Sequence, residues 1–188
     1  MTAVEEQLLQ ILKERSFKRG TFRLASGATS DYYIDGKMCQ VFSDAAYLIG
    51  EVLYERTKDL PIDAIGGLEV GAVPLTTAAV ISYRLHNRKM EGFWVRDKAK
   101  SHGTRKVVEG CLPPGCRVAI VDDVITTGGS SVKAIKEVKE LGCEVVLAIA
   151  IVDRLQGAEQ VFKAEGVENY QSVFTIRDFG VNVDDGGS

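Results

Sequence analysis

The chain has 188 residues, 45% apolar and 26% charged, with a formal net charge of -3. That composition suits a soluble globular protein with one core and gives no general reason to expect nucleic acid as a partner. No apolar run approaches the roughly 18 residues needed to cross a bilayer, so no membrane partner is expected either.

The N-terminus, MTAVEEQLLQILKER, carries early acids at helical spacing and suits neither a secretory signal nor a transit peptide. Thr2 followed by Glu5 predicts a capping box, and Val4, Leu8, Ile11 and Leu12 then share one helical face. GTFRLASGATSDYYIDGK reads as short strands and turns, and Ser43 and Asp44 open a second helix that runs to about Lys58. After Pro61 the pattern changes to short runs rich in β-branched and apolar residues: IDAIGG, GFWVR, CRVAIVDD, EVVLAIAIVD and YQSVFTI. Most are continuous rather than alternating, as strands covered on both faces should be. Helical segments over about 73–85, 129–141 and 155–165 lie between them. Strands alternating with helices predict an α/β fold with a central, mostly parallel sheet flanked by helices and right-handed crossovers. The tail from about 181 to 188, VNVDDGGS, reads as frayed. Cys39, Cys111, Cys116 and Cys143 form no C-x-x-C pair and have no zinc-type His spacing, so they read as reduced thiols of a cytoplasmic protein.

The most informative stretch is RVAIVDDVITTGGSSVKAIKEV, residues 117–138. In an open parallel sheet, ligands bind beyond the carboxyl ends of strands, which is where Asp122 and Asp123 are expected. The glycines of ITTGGSS let backbone N–H groups turn toward a ligand, and the next helix adds the positive end of its dipole. That half of the motif is an anion cradle for a phosphate monoester. The aspartates repel phosphate, but they can accept hydrogen bonds from sugar hydroxyls or hold Mg²⁺ through its waters. Together the two halves fit a phosphorylated sugar with vicinal hydroxyls. The plainer reading is one helix-capping Asp beside a solvated one, although capping needs only one acid. No G-x-x-x-x-G-K-[ST] is present, and no G-x-G-x-x-G opens a βαβ unit.

A second cluster, VRDKAKSHGTRKVVEG, holds Arg96, Lys98, Lys100, His102, Arg105 and Lys106 after a predicted strand, in an otherwise acidic chain. It reads either as a solvated basic loop or as cations that close over a diphosphate leaving group and exclude water. His102 has the ordinary pKa of about 6.5 that suits proton delivery to a departing phosphate oxygen.

The acid-and-glycine motif resembles the phosphoribosyl pyrophosphate (PRPP) site of the type I phosphoribosyltransferases. Arg96, Lys100, His102 and Gly103, in the order R-x-x-x-K-x-H-G, resemble the catalytic loop of the orotate phosphoribosyltransferase family. FRLASGATSDYYID, GGLEVGAVPL and VDRLQGA are similar to its N-terminal segment, its pyrophosphate-side loop and the strand end whose arginine meets orotate.

The resemblance implies the type I phosphoribosyltransferase fold over residues 1–188 as one domain, with about 1–42 forming an N-terminal helix and a small hood. It implies Mg²⁺-dependent transfer of phosphoribosyl from PRPP to orotate, giving orotidine 5′-monophosphate and pyrophosphate. On this basis Asp122 and Asp123 hold the ribose hydroxyls and, through water, the metal. Val124, Ile125, Thr126, Thr127, Gly128, Gly129 and Ser130 line PRPP, as do Arg96, Lys98, Lys100 and His102. Arg154 pairs with the orotate carboxylate, Thr126 lies near the base, and Tyr33 and Ile34 lie against the pyrimidine. Tyr33 and Ile34 also read as ordinary core residues of the hood. A homodimer that shares the basic loop across its interface is implied as well.

Many family members carry lysine where Ala25 stands, Tyr-Lys where this chain has Glu69-Val70, and lysine in place of Asp97. Lys37, expected to reach orotate, and Lys98 are substitutes by proximity in sequence. A transferase for another nucleobase and a non-catalytic regulator that senses PRPP or nucleotides are the competing readings.

Overall fold

The computed structural model describes residues 1–23, 29–97 and 106–183. The capping box forms as expected: the Glu5 N–H donates to Thr2 Oγ1 at 3.2 Å, and the Thr2 N–H donates to Glu5 Oε2 at 2.8 Å. It opens helix α1 (Ala3–Arg15), whose Leu8, Leu9 and Leu12 are buried while Val4 and Ile11 pack at the rim. Strands β1 (Phe17–Arg23) and β2 (Thr29–Ile34) pair antiparallel as a separate two-stranded sheet. The short α2 (Lys37–Gln40) and the longer α3 (Ser43–Thr57) follow.

A six-stranded sheet carries the rest. In chain order its strands are β3 (Ala64–Leu68), β4 (Glu91–Val95), β5 (Val108–Gly110), β6 (Arg117–Ile125), β7 (Glu144–Asp153) and β8 (Tyr170–Thr175). In space they run β5-β4-β3-β6-β7-β8, parallel throughout except for β5, which lies antiparallel on the β4 edge. Helices α4 (Ala72–Leu85), α5 (Gly129–Glu140) and α6 (Ala158–Ala164) connect them.

The continuous apolar runs have a simple cause. Along a strand, successive side chains point to opposite faces. Ile65, Ala119, Val121, Leu147, Ile149 and Ile151 join one core with α1, α3 and α4. Their neighbours Ala64, Val118, Ile120, Ala148 and Ala150 join the other, with Ala134, Ile135 and Val138 of α5 and Phe162 of α6. Both faces are covered, so apolar residues fill both register positions over the middle of these strands.

The structure departs from expectation in three places. The helix expected from 155 begins only at Ala158, because Leu155 (φ 58°) and Gly157 (φ 91°) take left-handed conformations that cannot propagate a right-handed first turn. The three-residue β5 is too short to carry a period. The start of the tail expected to fray, at 181, is packed. A 3₁₀ turn over Ile176–Phe179 buries Ile176 and Phe179, and Val181 is buried beside them, while the rest of that tail, 184–188, lies outside the described residues.

Candidate active site

Strand β6 runs two residues past the paired acids, with Asp122, Val124 and Ile125 in register with Ala150, Val152 and Asp153 of β7. The turn therefore starts at Thr126. Ile125, expected to line PRPP, instead sends its side chain into the core, and its carbonyl accepts the Arg154 N–H at 2.9 Å.

Strand alternation sends the two side chains to different packing neighbours, but their carboxylates stay close enough to repel each other. Asp122 turns toward α5, where Oδ2 accepts the Ser131 hydroxyl at 2.7 Å and Oδ1 accepts the Asp123 N–H at 3.0 Å. Burial, opposed by the Ser131 hydrogen bond and reinforced by the charge of Asp123, pushes the Asp122 carboxyl up to about 7. Asp123 turns the other way, against two glycines. A Cβ at Gly36 would fall 2.6 Å from Asp123 Oδ2. One at Gly71 would fall 2.8 Å from Asp123 Oδ1 and 3.6 Å from Asp122 Oδ1, so both acids present an oxygen to the Gly71 backbone at the start of α4.

Gly128 closes the turn at φ 83°, and its N-cap position leaves the first-turn amides of α5 with no side-chain cap and no acidic residue within that turn. Thr127, Gly129 and Ser130 are exposed beside them, and Thr126 and Val124 are half-buried. Uncapped N–H groups at the head of a 12-residue helix, next to hydroxyls, form an anion-binding surface.

On the far side of β6, Arg154 follows β7 and is 9% exposed. Its Nε donates to the Tyr32 hydroxyl at 3.0 Å, and its guanidinium lies 4.7 Å from the Tyr32 ring centroid. Alternation along β2 buries Tyr32 and Ile34, whereas Tyr33 is 42% exposed and packs on Phe22 at 5.5 Å. Ile34 thus packs into the core that α1, α3 and α4 share with the sheet, while Tyr33 faces outward. Lys37 pairs with Asp35 at 3.0 Å. That hydrogen bond raises its pKa most, and the charge of Asp123 adds to it, which sets Lys37 near the acid pair.

Of the basic segment, Lys98, Lys100, His102, Gly103 and Arg105 lie outside the described residues, as does Ala25. Arg96 Nε pairs with Glu109 of β5 at 3.0 Å. Two of the departures from the family pattern meet each other: the Asp97 N–H donates to Glu69 Oε1 at 3.3 Å. Asp97 Oδ1 in turn pairs at 2.9 Å with Lys133 of α5, so a cation does stand near these positions, contributed by another element.

Tyr32, Ser131, Gly36 and Gly71 escaped the sequence reading. Period-2 alternation from the buried Ile34 would have pointed to Tyr32. The other three depend on which elements meet, and no local pattern encodes that.

For Mg²⁺ the donor chemistry fits in part. Two carboxylates with oxygens turned toward one glycine backbone suit a hard cation that keeps several waters and takes further oxygens from its substrate. Among the described residues no cluster of three or more His, Cys, Asp or Glu could hold a metal by itself.

A strand-end acid pair beside a glycine-cornered helix start, on a mostly parallel sheet, defines a phosphoribosyltransferase. Residues 43–182 match the family model described as the phosphoribosyl transferase domain. More narrowly, the chain belongs to the orotate phosphoribosyltransferase family, whose members are pentosyltransferase enzymes. It is 42% identical over 182 residues to an orotate phosphoribosyltransferase of Rhodopseudomonas palustris, covering 95% of this chain and 97% of that one. Its fold matches the Mycobacterium tuberculosis orotate phosphoribosyltransferase solved with Fe(III) dicitrate, at TM-score 0.83 and 36% identity over 95% of this chain and 99% of that one. The M. tuberculosis enzyme in complex with PRPP matches at TM-score 0.79 and 33% identity, over the same shares.

Proposed function

We infer that the chain transfers the phosphoribosyl group of PRPP to orotate, giving orotidine 5′-monophosphate and pyrophosphate in pyrimidine biosynthesis. The observation that carries this reading is the junction of β6 and α5, where paired acids adjoin uncapped helix-start amides. The amides and hydroxyls of 126–130 take the 5′-phosphate, and Asp122 and Asp123 accept hydrogen bonds from the ribose hydroxyls. Arg154 offers its guanidinium to the orotate carboxylate, a planar match that a lysine ammonium cannot reproduce.

In the reaction the orotate ring nitrogen forms its bond to the anomeric carbon as the bond to pyrophosphate breaks. No protein nucleophile is needed, so the site works by positioning the reactants and stabilising charge on the leaving group. Asp122 and Asp123 would hold Mg²⁺, which would supply positive charge to the diphosphate. Arg96, Lys98, Lys100 and His102 act on the same diphosphate, and in a homodimer they reach the partner's site. Mixing a Lys100→Ala, His102→Ala variant with an Asp122→Asn, Asp123→Asn variant tests this, because heterodimers then contain one intact site. Recovery of activity is expected, and no recovery despite proven subunit exchange would sink the shared loop.

We read residues 1–188 as one domain, with 1–42 as helix and hood. The free thiols of Cys39, Cys111, Cys116 and Cys143 suit a cytoplasmic setting. Among the described residues no helix is long and apolar enough to cross a membrane.

The decisive assay follows orotate consumption by absorbance, with adenine and hypoxanthine as competing bases. Turnover with orotate alone is expected. Preference for a purine would overturn the substrate assignment, and no turnover with any base would favour a PRPP-sensing regulator.

A further inference from the structure

Arg154 is a nearly buried cation with five N–H donors, yet its side chain has one polar partner among the described residues, the Tyr32 hydroxyl. Its Nη nitrogens are not among the buried side-chain atoms that lack a partner, so this end of the guanidinium reaches the surface, where a ligand can meet it. The manner in which Tyr32 holds it is specific. The ring lies beside the guanidinium, with Cζ 4.7 Å from the centroid, while the hydroxyl takes Nε at 3.0 Å.

Tyr32 is itself fixed on several sides. Its carbonyl accepts the Ser30 hydroxyl at 2.7 Å, its ring packs on Phe17 at 6.0 Å, and Phe17 packs on Phe179 at 5.4 Å. At the other end of the contact, the Arg154 backbone N–H is bonded to the Ile125 carbonyl at 2.9 Å, which ties Arg154 to the acid-bearing strand β6. The Tyr32–Arg154 contact is therefore a strut between the hood and the carboxyl end of the sheet.

A guanidinium can grip a carboxylate bidentately along its Nε–Nη edge or along its Nη1–Nη2 end. The first edge is taken. We propose that Tyr32 is a positioning residue that sets substrate specificity, occupying the Nε edge of Arg154 so that a carboxylate-bearing planar base binds only end-on, at one angle to the ribose. This rests on the reading of Arg154 as the partner of the orotate carboxylate, and it goes beyond that reading by assigning the mode of contact and the residue that enforces it.

Tyr32→Phe keeps the ring and its stacking and deletes only the acceptor. Loss of a hydrogen bond that orients a charged group predicts a roughly tenfold rise in the KM for orotate. The KM for PRPP and the thermal midpoint should stay at wild-type values, which a purely structural role would not allow. Arg154→Lys serves as the control. If it leaves the orotate KM unchanged, the Arg154 reading fails. If it raises that KM while Tyr32→Phe does not, the Tyr32 proposal alone fails. Parallel rises in both KM values for Tyr32→Phe, with a lowered midpoint, would also overturn it. On the wild-type protein, the Arg154 Nη resonances should move on orotate binding while Nε stays put; a displaced Nε signal contradicts the proposal whatever the variants do.

Discussion

Gly128 joins the two halves of the candidate site, and replacing it with alanine perturbs them in two separable ways. At φ 83° an alanine carries the left-handed penalty, about 1–2 kcal/mol. Its Cβ would also stand 2.9 Å from Phe162 Cε1 and 3.0 Å from Cζ, on a ring that is fully buried and packs edge-on to Tyr170. Overpacking of that kind costs about 1–3 kcal/mol more. Gly128→Ala should therefore lose roughly 2–5 kcal/mol in urea unfolding, a large part of the ~5–15 kcal/mol that holds a typical domain together. Because the helix-start amides follow this residue directly, PRPP affinity in a calorimetric titration should also fall more than tenfold. The double variant Gly128→Ala, Phe162→Leu separates the causes. Relief of the clash should appear as a favourable coupling of about 1–3 kcal/mol, while the backbone penalty persists. Wild-type stability and PRPP binding in Gly128→Ala, or zero coupling in the cycle, would refute this account of the turn.

Three further outcomes follow from the same geometry. The Asp122 carboxyl, at about 7 in the folded chain, lies above its unfolded value of 3.8, so the folded state binds the extra proton between them. In Mg²⁺-free buffer, stability should then fall as pH rises from about 4 to about 7 and level off above; Asp122→Asn should remove that slope in melts across this range, and an unchanged slope contradicts it. Gly36→Ala has no backbone objection, but its Cβ meets Asp123 Oδ2 at 2.6 Å. The variant should fold with a displaced carboxylate and weaker PRPP binding, and unimpaired binding by calorimetry would count against a ribose role for Asp123. Gln40 is buried with both amide atoms unpartnered among the described residues, so Gln40→Met should raise the thermal midpoint by about 2–4 °C per kcal/mol recovered; a lower midpoint by calorimetry would show that the amide has a partner in solution.

How much of this was legible in the residues depends on the range of the interaction. The capping box of Thr2 and Glu5, the extent of EVVLAIAIVD as a strand, and the glycine-cornered turn into α5 are local consequences of hydrogen bonding and period, and the structure contains each of them. The late start of α6 was hidden because Leu155 takes a left-handed conformation that its residue type gives no reason to expect. The opposite facing of Asp122 and Asp123 follows from strand alternation, but only once the strand is seen to continue through Ile125. Tyr32 against Arg154, Gly36 against Asp123 and Asp97 against Lys133 join residues 122, 87 and 36 positions apart, and those pairings exist only after the sheet has assembled.

The most direct measurement is a crystal structure of the protein with PRPP, Mg²⁺ and an unreactive orotate analogue. Ribose hydroxyls within hydrogen-bond reach of Asp122 and Asp123, about 2.6–3.2 Å, with the 5′-phosphate on the amides of 127–130, is the result this account predicts. A 5′-phosphate bound away from the start of α5, or acids that leave the sugar untouched, would contradict it.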